Sequence, residues 1–228
     1  MSTITKEEIT VKAAAAPPAA PPADLLEKAA PTRERLVQQV RAGLQGSLDR
    51  RLQARLEARR AGATLGEPTV GAYVAFDLYA YTPIQFFGPP PYQPSKIIAG
   101  GEYAVIYAVM FVNPEIDIPS GFAVQPTVQL GGRTYRVGME QVNLTDVTDG
   151  PDDFRQDMFT SPADPFTVLD FWFQAPMPGR KPILFEANLS ADIVDLGQPY
   201  AAFASTIIDA DSWQVQENIP LRYLVYPK

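Results

Sequence analysis

Residues 183–194 read ILFEANLSADIV, and this stretch decides the fold class. The odd positions from Ile183 to Ile193 are apolar, whereas the even positions from Glu186 to Asp192 are polar. Successive side chains of a β-strand point to opposite faces of the sheet. The alternation therefore predicts a strand with one buried face and one wet face.

Similar patterns continue on both sides of this strand. Val70–Ala80 alternates, and Ile97–Val112 is apolar on both faces, as a central strand would be. Further strands are predicted at Val124–Leu130, Arg133–Val142, Phe166–Gln174, Tyr200–Ile208 and Val215–Tyr226. Gly131-Gly132 marks a tight hairpin, and Pro220 predicts that the last strand is an edge or a bulge. About eight strands without a helical pattern predict a mainly β fold, an antiparallel β-sandwich or jelly-roll-like domain.

The chain changes character near Gly62. Residues 1–62 carry eleven basic and seven acidic residues, a net charge of +4. Residues 63–228 carry eight basic and nineteen acidic residues, a net charge of −11, and the two sum to −7. We predict a disordered tail with an Ala/Pro spacer over 1–31, an amphipathic helix over 32–62, and a β-sandwich over 63–228. The sandwich is then expected to fold without the preceding residues.

The helical segment has an apolar stripe and an arginine-rich remainder. Thr32 is the predicted N-cap. Apolar residues then recur every four positions, at Leu36, Val40, Leu44, Leu48, Leu52 and Leu56. All eight arginines of residues 1–62 lie between Arg33 and Arg60. We predict that this helix packs on the acidic β domain, in the same chain or in a neighbouring subunit, because most helix stability comes from burying an apolar face.

The predicted interface of this helix consists of Leu44, Leu48, Leu52, Arg50, Arg51 and Arg55. Contact with an anionic membrane surface is the weaker alternative. We do not expect binding to nucleic acid, because an acidic protein with no basic patch outside one helix lacks the electrostatic footprint.

The first residues have the composition of a docking peptide. Residues 1–12 are polar apart from Met1, Ile4, Ile9 and Val11. Residues 13–23 consist only of alanine and proline. Such a spacer is prone to the polyproline II conformation and is semi-rigid. We predict a protein partner for residues 1–12. Neither segment resembles a signal peptide, so we expect the cytoplasm.

Composition excludes several kinds of chemistry. The chain has no cysteine, which removes disulfides and thiolate metal sites, and no histidine, which removes imidazole-based nucleophile activation. We expect no cofactor, no metal and no catalytic residue. The acid-rich stretch Asp146–Asp157 does not match the EF-hand ligand order. Asp77 and Asp170 lie among apolar and aromatic strand residues and are expected to be partly buried, but nothing pairs them for hydrolysis.

An aromatic and proline-rich loop over Tyr81–Pro94 is the remaining candidate for a ligand site. Phe86, Phe87 and Tyr92 would form its stacking platform. The sequence thus predicts a non-enzymatic structural or interaction protein, an assembling β-sandwich with an N-terminal docking arm that forms a homo-oligomer. The alternative is a ligand-binding module, with carbohydrate as one candidate class, that uses this loop.

Overall fold

The computed structural model describes residues 20–60, 76–112, 134–158, 166–193, 201–209, 214–216 and 220–228. Within these ranges the chain forms one helix, α1, Ala23–Arg60. It also forms twelve strands: β1 Phe76–Ala80, β2 Ile97–Ala99, β3 Tyr103–Val112, β4 Thr134–Asn143, β5 Thr148–Asp149, β6 Asp153–Met158, β7 Phe166–Gln174, β8 Ile183–Ile193, β9 Ala201–Phe203, β10 Ser205–Asp209, β11 Gln214–Gln216 and β12 Leu221–Tyr226.

The strands form two sheets that pack face to face. Sheet A has the order β11-β10-β1-β3-β7, and sheet B has the order β2-β12-β8-β4-β5, with β6 also paired to β4 and β9 to β8. The pairings are antiparallel except for β1 with β10 and β2 with β12. The inner faces of both sheets share one apolar core that includes Ile106, Phe171, Phe185 and Tyr223. The mainly β fold is confirmed, and its layers are those of a β-sandwich.

The core contains one buried polar pair. Tyr223 of β12 donates its hydroxyl hydrogen to Oε1 of Gln141 of β4, and both side chains are almost fully buried. The Tyr223 ring stacks on Phe185, with ring centroids 5.6 Å apart. A buried amide oxygen needs a donor, and the phenol supplies it from β12, two strands away in the same sheet.

Two predicted strands divide because the chain crosses from one sheet to the other. The stretch Ile97–Val112 turns at Gly100-Gly101, so that β2 belongs to sheet B and β3 to sheet A. Gly101 has φ +77°, and a Cβ on Gly100 would lie 2.2 Å from Cδ of Pro178. Both positions therefore require glycine. The stretch Tyr200–Ile208 divides likewise at Ala204, which separates β9 of sheet B from β10 of sheet A.

The prediction for Pro220 is corrected. This residue immediately precedes β12, and β12 lies between β2 and β8, not at an edge. Proline lacks a donor, but here it stands before the first ladder position, so no hydrogen bond of the sheet is lost. β3 has the predicted central place, between β1 and β7, and residues 104–110 of it are buried. The predicted hairpin at Gly131-Gly132 and strand over 124–130 lie outside the described residues.

The helix begins at Ala23, nine residues before the predicted N-cap Thr32. The carbonyl of Pro22 accepts hydrogen bonds from the amides of Leu25 and Leu26, which forms the first turn. Pro31 lies inside the helix but on its exposed side. Because proline has no amide hydrogen, the carbonyl of Glu27, four residues earlier, accepts no hydrogen bond from residue 31. Glu27 is also exposed, so water can satisfy this carbonyl. This corrects the predicted boundary between tail and helix.

The helix covers the outer face of sheet A. The positions turned away from solvent are Leu25, Ala29, Thr32, Leu36, Val40 and Gly43, which follow the 3.6-residue period of a straight helix. They share a second core with outward residues of sheet A that include Val105, Tyr107 and Val109. The helix up to Gly43 is therefore a layer packed on sheet A, which argues against separate folding of residues 63–228, a prediction that deletion of residues 1–62 would test.

Candidate functional site

A polar contact fastens the helix to the edge of sheet A. Arg33 donates from Nε to Oδ1 of Asp170 at 2.9 Å and from Nη2 to the carbonyl of Val168 at 2.8 Å. Arg35 donates to the carbonyl of Tyr92, and the guanidinium of Arg41 lies over the ring of Phe166, 5.5 Å from its centroid. Asp170, partly buried as expected, therefore serves as an anchor for the helix, and the side chain of Asp77 lies outside the described residues.

Tyr107 lies directly beneath this contact. It is the cross-strand partner of Asp170, it is fully buried, and its hydroxyl has no hydrogen-bond partner in the described part of the chain. Burial raises the pKa of the Tyr107 phenol, the negative charge of Asp170 raises it further, and Arg33 lowers it. The phenol thus stays protonated at neutral pH, and the hydrogen bonds of Arg33 above it hold the helix on sheet A.

The aromatic loop is packed into the domain. Phe86 is buried between Tyr92, 5.1 Å away in an edge-on arrangement, and Trp172, 5.6 Å away. Tyr92 is partly buried and donates its hydroxyl hydrogen to the carbonyl of Gly88. Phe87 is 48% exposed, and the ammonium of Lys228 lies 5.5 Å from its ring centroid. Of the three predicted platform residues, only Phe87 presents a ring to solvent, so their arrangement is that of a packed crossover.

The predicted helix interface lies beyond the packed part of α1. The side chains of Leu44, Leu48, Leu52, Arg50, Arg51 and Arg55 are outside the described residues, although the backbone there is helical as far as Arg60. Arg41 contacts Phe166, the first residue of β7 and hence the end of sheet A. Residues 44–60 add about 25 Å of helix beyond Gly43, at 1.5 Å per residue.

The outer face of sheet B differs from that of sheet A, because its outward side chains are exposed or only half-buried. Four aliphatic residues lie side by side across this face. The register pairs Ile97 with Leu224 and Leu224 with Leu184, and Leu144 donates its amide to the carbonyl of Leu184. We call Ile97, Leu224, Leu184 and Leu144 the aliphatic row. Ile97 is 58% exposed and Leu144 is 38% exposed.

Charged pairs occupy the rest of this face. Arg222 donates to Glu186 at 2.8 Å, in the register row beside the aliphatic row, and Arg136 pairs with Asp192 farther along β4 and β8. Opposite charges placed directly across strands are typical of a solvated face. The aliphatic row interrupts this pattern at one end of the sheet. Sequence reasoning missed the row, since its members come from four separate segments that only the register aligns.

Carboxylates of the acidic stretch Asp146–Asp157 accept hydrogen bonds from groups in and beside this stretch. Asp152 accepts the amide of Gln141 at 2.9 Å, and Asp146 accepts a hydrogen bond from the side chain of Asn143 at 3.0 Å. Burial raises the pKa of Asp153, which accepts from Nη1 of Arg155 at 2.8 Å. These carboxylates therefore build the turns and the β6 edge, and no cluster of metal-ligating side chains occurs among the described residues.

Arg155 connects the edges of the two sheets. Its guanidinium donates from Nε and Nη2 to the carbonyl of Asp170 at 3.3 and 3.2 Å, and it lies over the ring of Phe171. Arg155 belongs to β6 of sheet B, whereas Asp170 and Phe171 belong to β7 of sheet A. The backbone of Asp170 thus holds the second sheet while its side chain holds the helix.

Comparison with known proteins assigns no family. No protein-family model matches the chain, and no curated protein matches it. Within the described ranges, no helix is both long and apolar enough to cross a bilayer. The function is therefore inferred from the surfaces described above.

Proposed function

We propose that this chain is a non-enzymatic structural or interaction protein, a β-sandwich that assembles into a homo-oligomer through its helix. The observation that carries the proposal is the mismatch in length between helix and sheet. α1 has 38 residues and is about 57 Å long, whereas β7, with nine residues, spans about 30 Å. The residues up to Gly43 are packed on their own sheet, and residues 44–60 are the part that we propose contacts a second copy.

The second half of the helix needs a packed face. Residues 44–60 number seventeen, only slightly above the roughly 12–15 residues below which isolated helices barely form in water, and most helix stability in proteins comes from a packed apolar face. Residues 44–60 contain Leu44, Leu48, Leu52 and Leu56, spaced for one side of the helix. A second copy of the chain is the proposed partner for this stripe.

Charge favours such a contact. Residues 44–60 contain five arginines against Asp49 and Glu57, whereas residues 63–228 carry a net charge of −11. Complementary potentials steer association and orient the partners, and burial of leucine side chains supplies most of the affinity. The arginines Arg50, Arg51 and Arg55 are thus assigned to orientation, and Leu44, Leu48 and Leu52 to affinity.

The test compares two substitutions that add the same charge at different sides of the helix. Leu48→Asp interrupts the stripe, whereas Gln53 lies about 140° around the helix from Leu48. We expect an oligomer by light scattering that dissociates with Leu48→Asp and persists with Gln53→Asp. Arg50→Gln or raised salt should weaken it only slightly.

Two results would reject the proposal. A single-chain mass for the unmodified protein at every concentration tested excludes the oligomer. An oligomer that moderate salt dissociates but Leu48→Asp leaves intact would show a contact made by charge, with the leucine stripe packed elsewhere.

A further inference from the structure

We infer that the aliphatic row on sheet B is the docking site for residues 1–12 of a second copy of the chain. This inference rests on the proposed function, since it names the receptor of the docking arm. The partner is a short peptide segment with a few aliphatic side chains. The row offers four aliphatic neighbours in a line across four strand segments.

The contact is made with the face of the sheet and not with its edge. β2 lies at the end of the strand order of sheet B. Its outward backbone groups are already occupied, because Gln85 bonds both the amide and the carbonyl of Ala99 at 2.8 and 2.9 Å. Ser95 likewise bonds both backbone groups of Ile97. A partner strand cannot extend the sheet there, but Ile97 itself points outward and is exposed.

The helix begins at the same end of the domain as the row. Arg33 contacts Val168 and Asp170, and Arg41 contacts Phe166, so the helix descends from the Gln174 end of β7 toward its start. Ten residues of helix before Arg33 span about 15 Å, which places Ala23 level with Gln174.

The row lies near this end of sheet B. Gly101, next to Gly100, donates its amide to the carbonyl of Ala175, the residue after β7. Gly100 donates its amide to the carbonyl of Tyr226, two residues beyond Leu224 of the row. The turn between β2 and β3 therefore joins the Gln174 end of sheet A to the end of sheet B that carries the row.

The spacer favours a neighbouring copy over the same chain. Residues 13–22 are alanine and proline, a composition prone to the semi-rigid polyproline II conformation, in which ten residues span about 31 Å. To reach its own row, an arm of this kind would have to reverse direction around the helix layer and two sheets packed about 10 Å apart. A semi-rigid spacer of this length is instead expected to present Ile4, Ile9 and Val11 to another molecule.

The first experiment measures binding of a fluorescent peptide of residues 1–12 to the full chain carrying Ile9→Asp, whose own arm is disabled. We expect saturable binding that Ile97→Asp weakens by at least roughly tenfold, because an unpaired charge then replaces a contacted aliphatic side chain. Leu144→Asp should act in the same way. Asn188→Asp, an exposed substitution on the same sheet face but outside the row, should leave the affinity unchanged.

The peptide has its own matched control. An Ile9→Asp peptide should lose binding, whereas a Thr5→Asp peptide of the same charge should keep it. Absence of binding, or equal binding to the Ile97→Asp and Asn188→Asp proteins, would overturn the inference. An oligomer that Leu48→Asp still dissociates would in that case leave the proposed function standing.

The second experiment asks whether the arm docks on another molecule. In the Leu48→Asp background the helix contact is disabled, so any association that appears when the protein concentration is raised above that of the light-scattering test comes from the arm and the row. We expect Ile9→Asp and Ile97→Asp to be single chains in this background and their equimolar mixture to form two-chain complexes, because the mixture contains one intact arm and one intact row. A single-chain mass in the mixture would overturn docking between copies, and a mass of two chains for Ile9→Asp alone would indicate contact between two rows.

Discussion

Arg33 of the helix and Asp170 of β7 form the polar link between the N-terminal layer and the sandwich, with 2.9 Å between Nε and Oδ1. The two residues are 137 positions apart in sequence. Their side chains are 43% and 31% exposed, so solvent screens the pair. The link therefore defines where the helix sits, while the buried apolar contacts around it supply most of the stability.

The strength of this pair can be measured by a double-mutant cycle. We expect a coupling energy of about 0.5–1 kcal/mol between Arg33→Gln and Asp170→Asn, read from denaturant unfolding of the two single variants and the double variant. The pair Arg222 and Glu186 serves as the reference cycle on the opposite sheet. A coupling energy of zero would show that the pair of Arg33 and Asp170 does not help to position the helix.

The packed half of the helix should be essential for stability. Leu36 is 2% exposed, so Leu36→Ala should lower the free energy of unfolding by about 2–5 kcal/mol. Gln38→Ala makes the same replacement at an exposed position and should change it by less than about 0.5 kcal/mol. Equal effects of the two substitutions would mean that the helix does not pack on sheet A.

Deletion of residues 1–62 gives a stronger test of the same layer. The deletion uncovers Tyr107, Val105 and Val109, which are fully buried in the intact chain. We expect a fragment that binds a hydrophobic dye and lacks a cooperative unfolding transition. A cooperative transition with a β-type far-ultraviolet spectrum would show that residues 63–228 fold without the helix.

The buried pair in the main core should tolerate little change. Tyr223→Phe removes the donor to Gln141 and leaves a buried amide oxygen without it, which should cost about 1–3 kcal/mol. Tyr226→Phe, at an exposed position of the same strand, is the matched control. Thermal unfolding of both variants measures the difference, and equal melting temperatures would show that the hydrogen bond contributes nothing.

Stability should fall at alkaline pH. Burial, and then the charge of Asp157, raise the pKa of Tyr135 from 10.0 to about 12, against a smaller opposing effect of a hydrogen bond with Thr167. A phenol with a raised native pKa contributes stability that is fully present below pH 10 and is lost as the pH rises through about 12. Unfolding at pH 9 to 12 should show this loss, and Tyr135→Phe should reduce it.

The effects of Asp170 and Arg33 on the pKa of Tyr107 have opposite signs, and the same titration can test them. Its pKa is raised by burial first and then by Asp170, while Arg33 lowers it. Asp170→Asn should therefore shift phenol ionisation, followed by ultraviolet absorbance, to lower pH, and Arg33→Gln should shift it to higher pH. Shifts in the opposite directions would mean that the two charges do not face the phenol.

The alternation in residues 183–194 was sufficient to predict β8, because apolar and polar residues alternate along a strand that has one buried and one solvent-exposed face. The apolar character of both faces of residues 104–110 likewise predicted a central strand, and β3 is one. Composition also excluded cysteine and histidine chemistry, because the chain contains neither residue. These features are local, and local patterns determine them.

Tertiary structure decided the rest. The local pattern predicts Thr32 as the N-cap, but burial of Ala29, Leu36 and Val40 on sheet A holds the helix continuous from Ala23. The aliphatic row exists only because the register aligns Ile97, Leu224, Leu184 and Leu144, which the sequence separates by up to 127 positions. Register and layer order depend on contacts between distant segments, so no periodicity within one segment can reveal them.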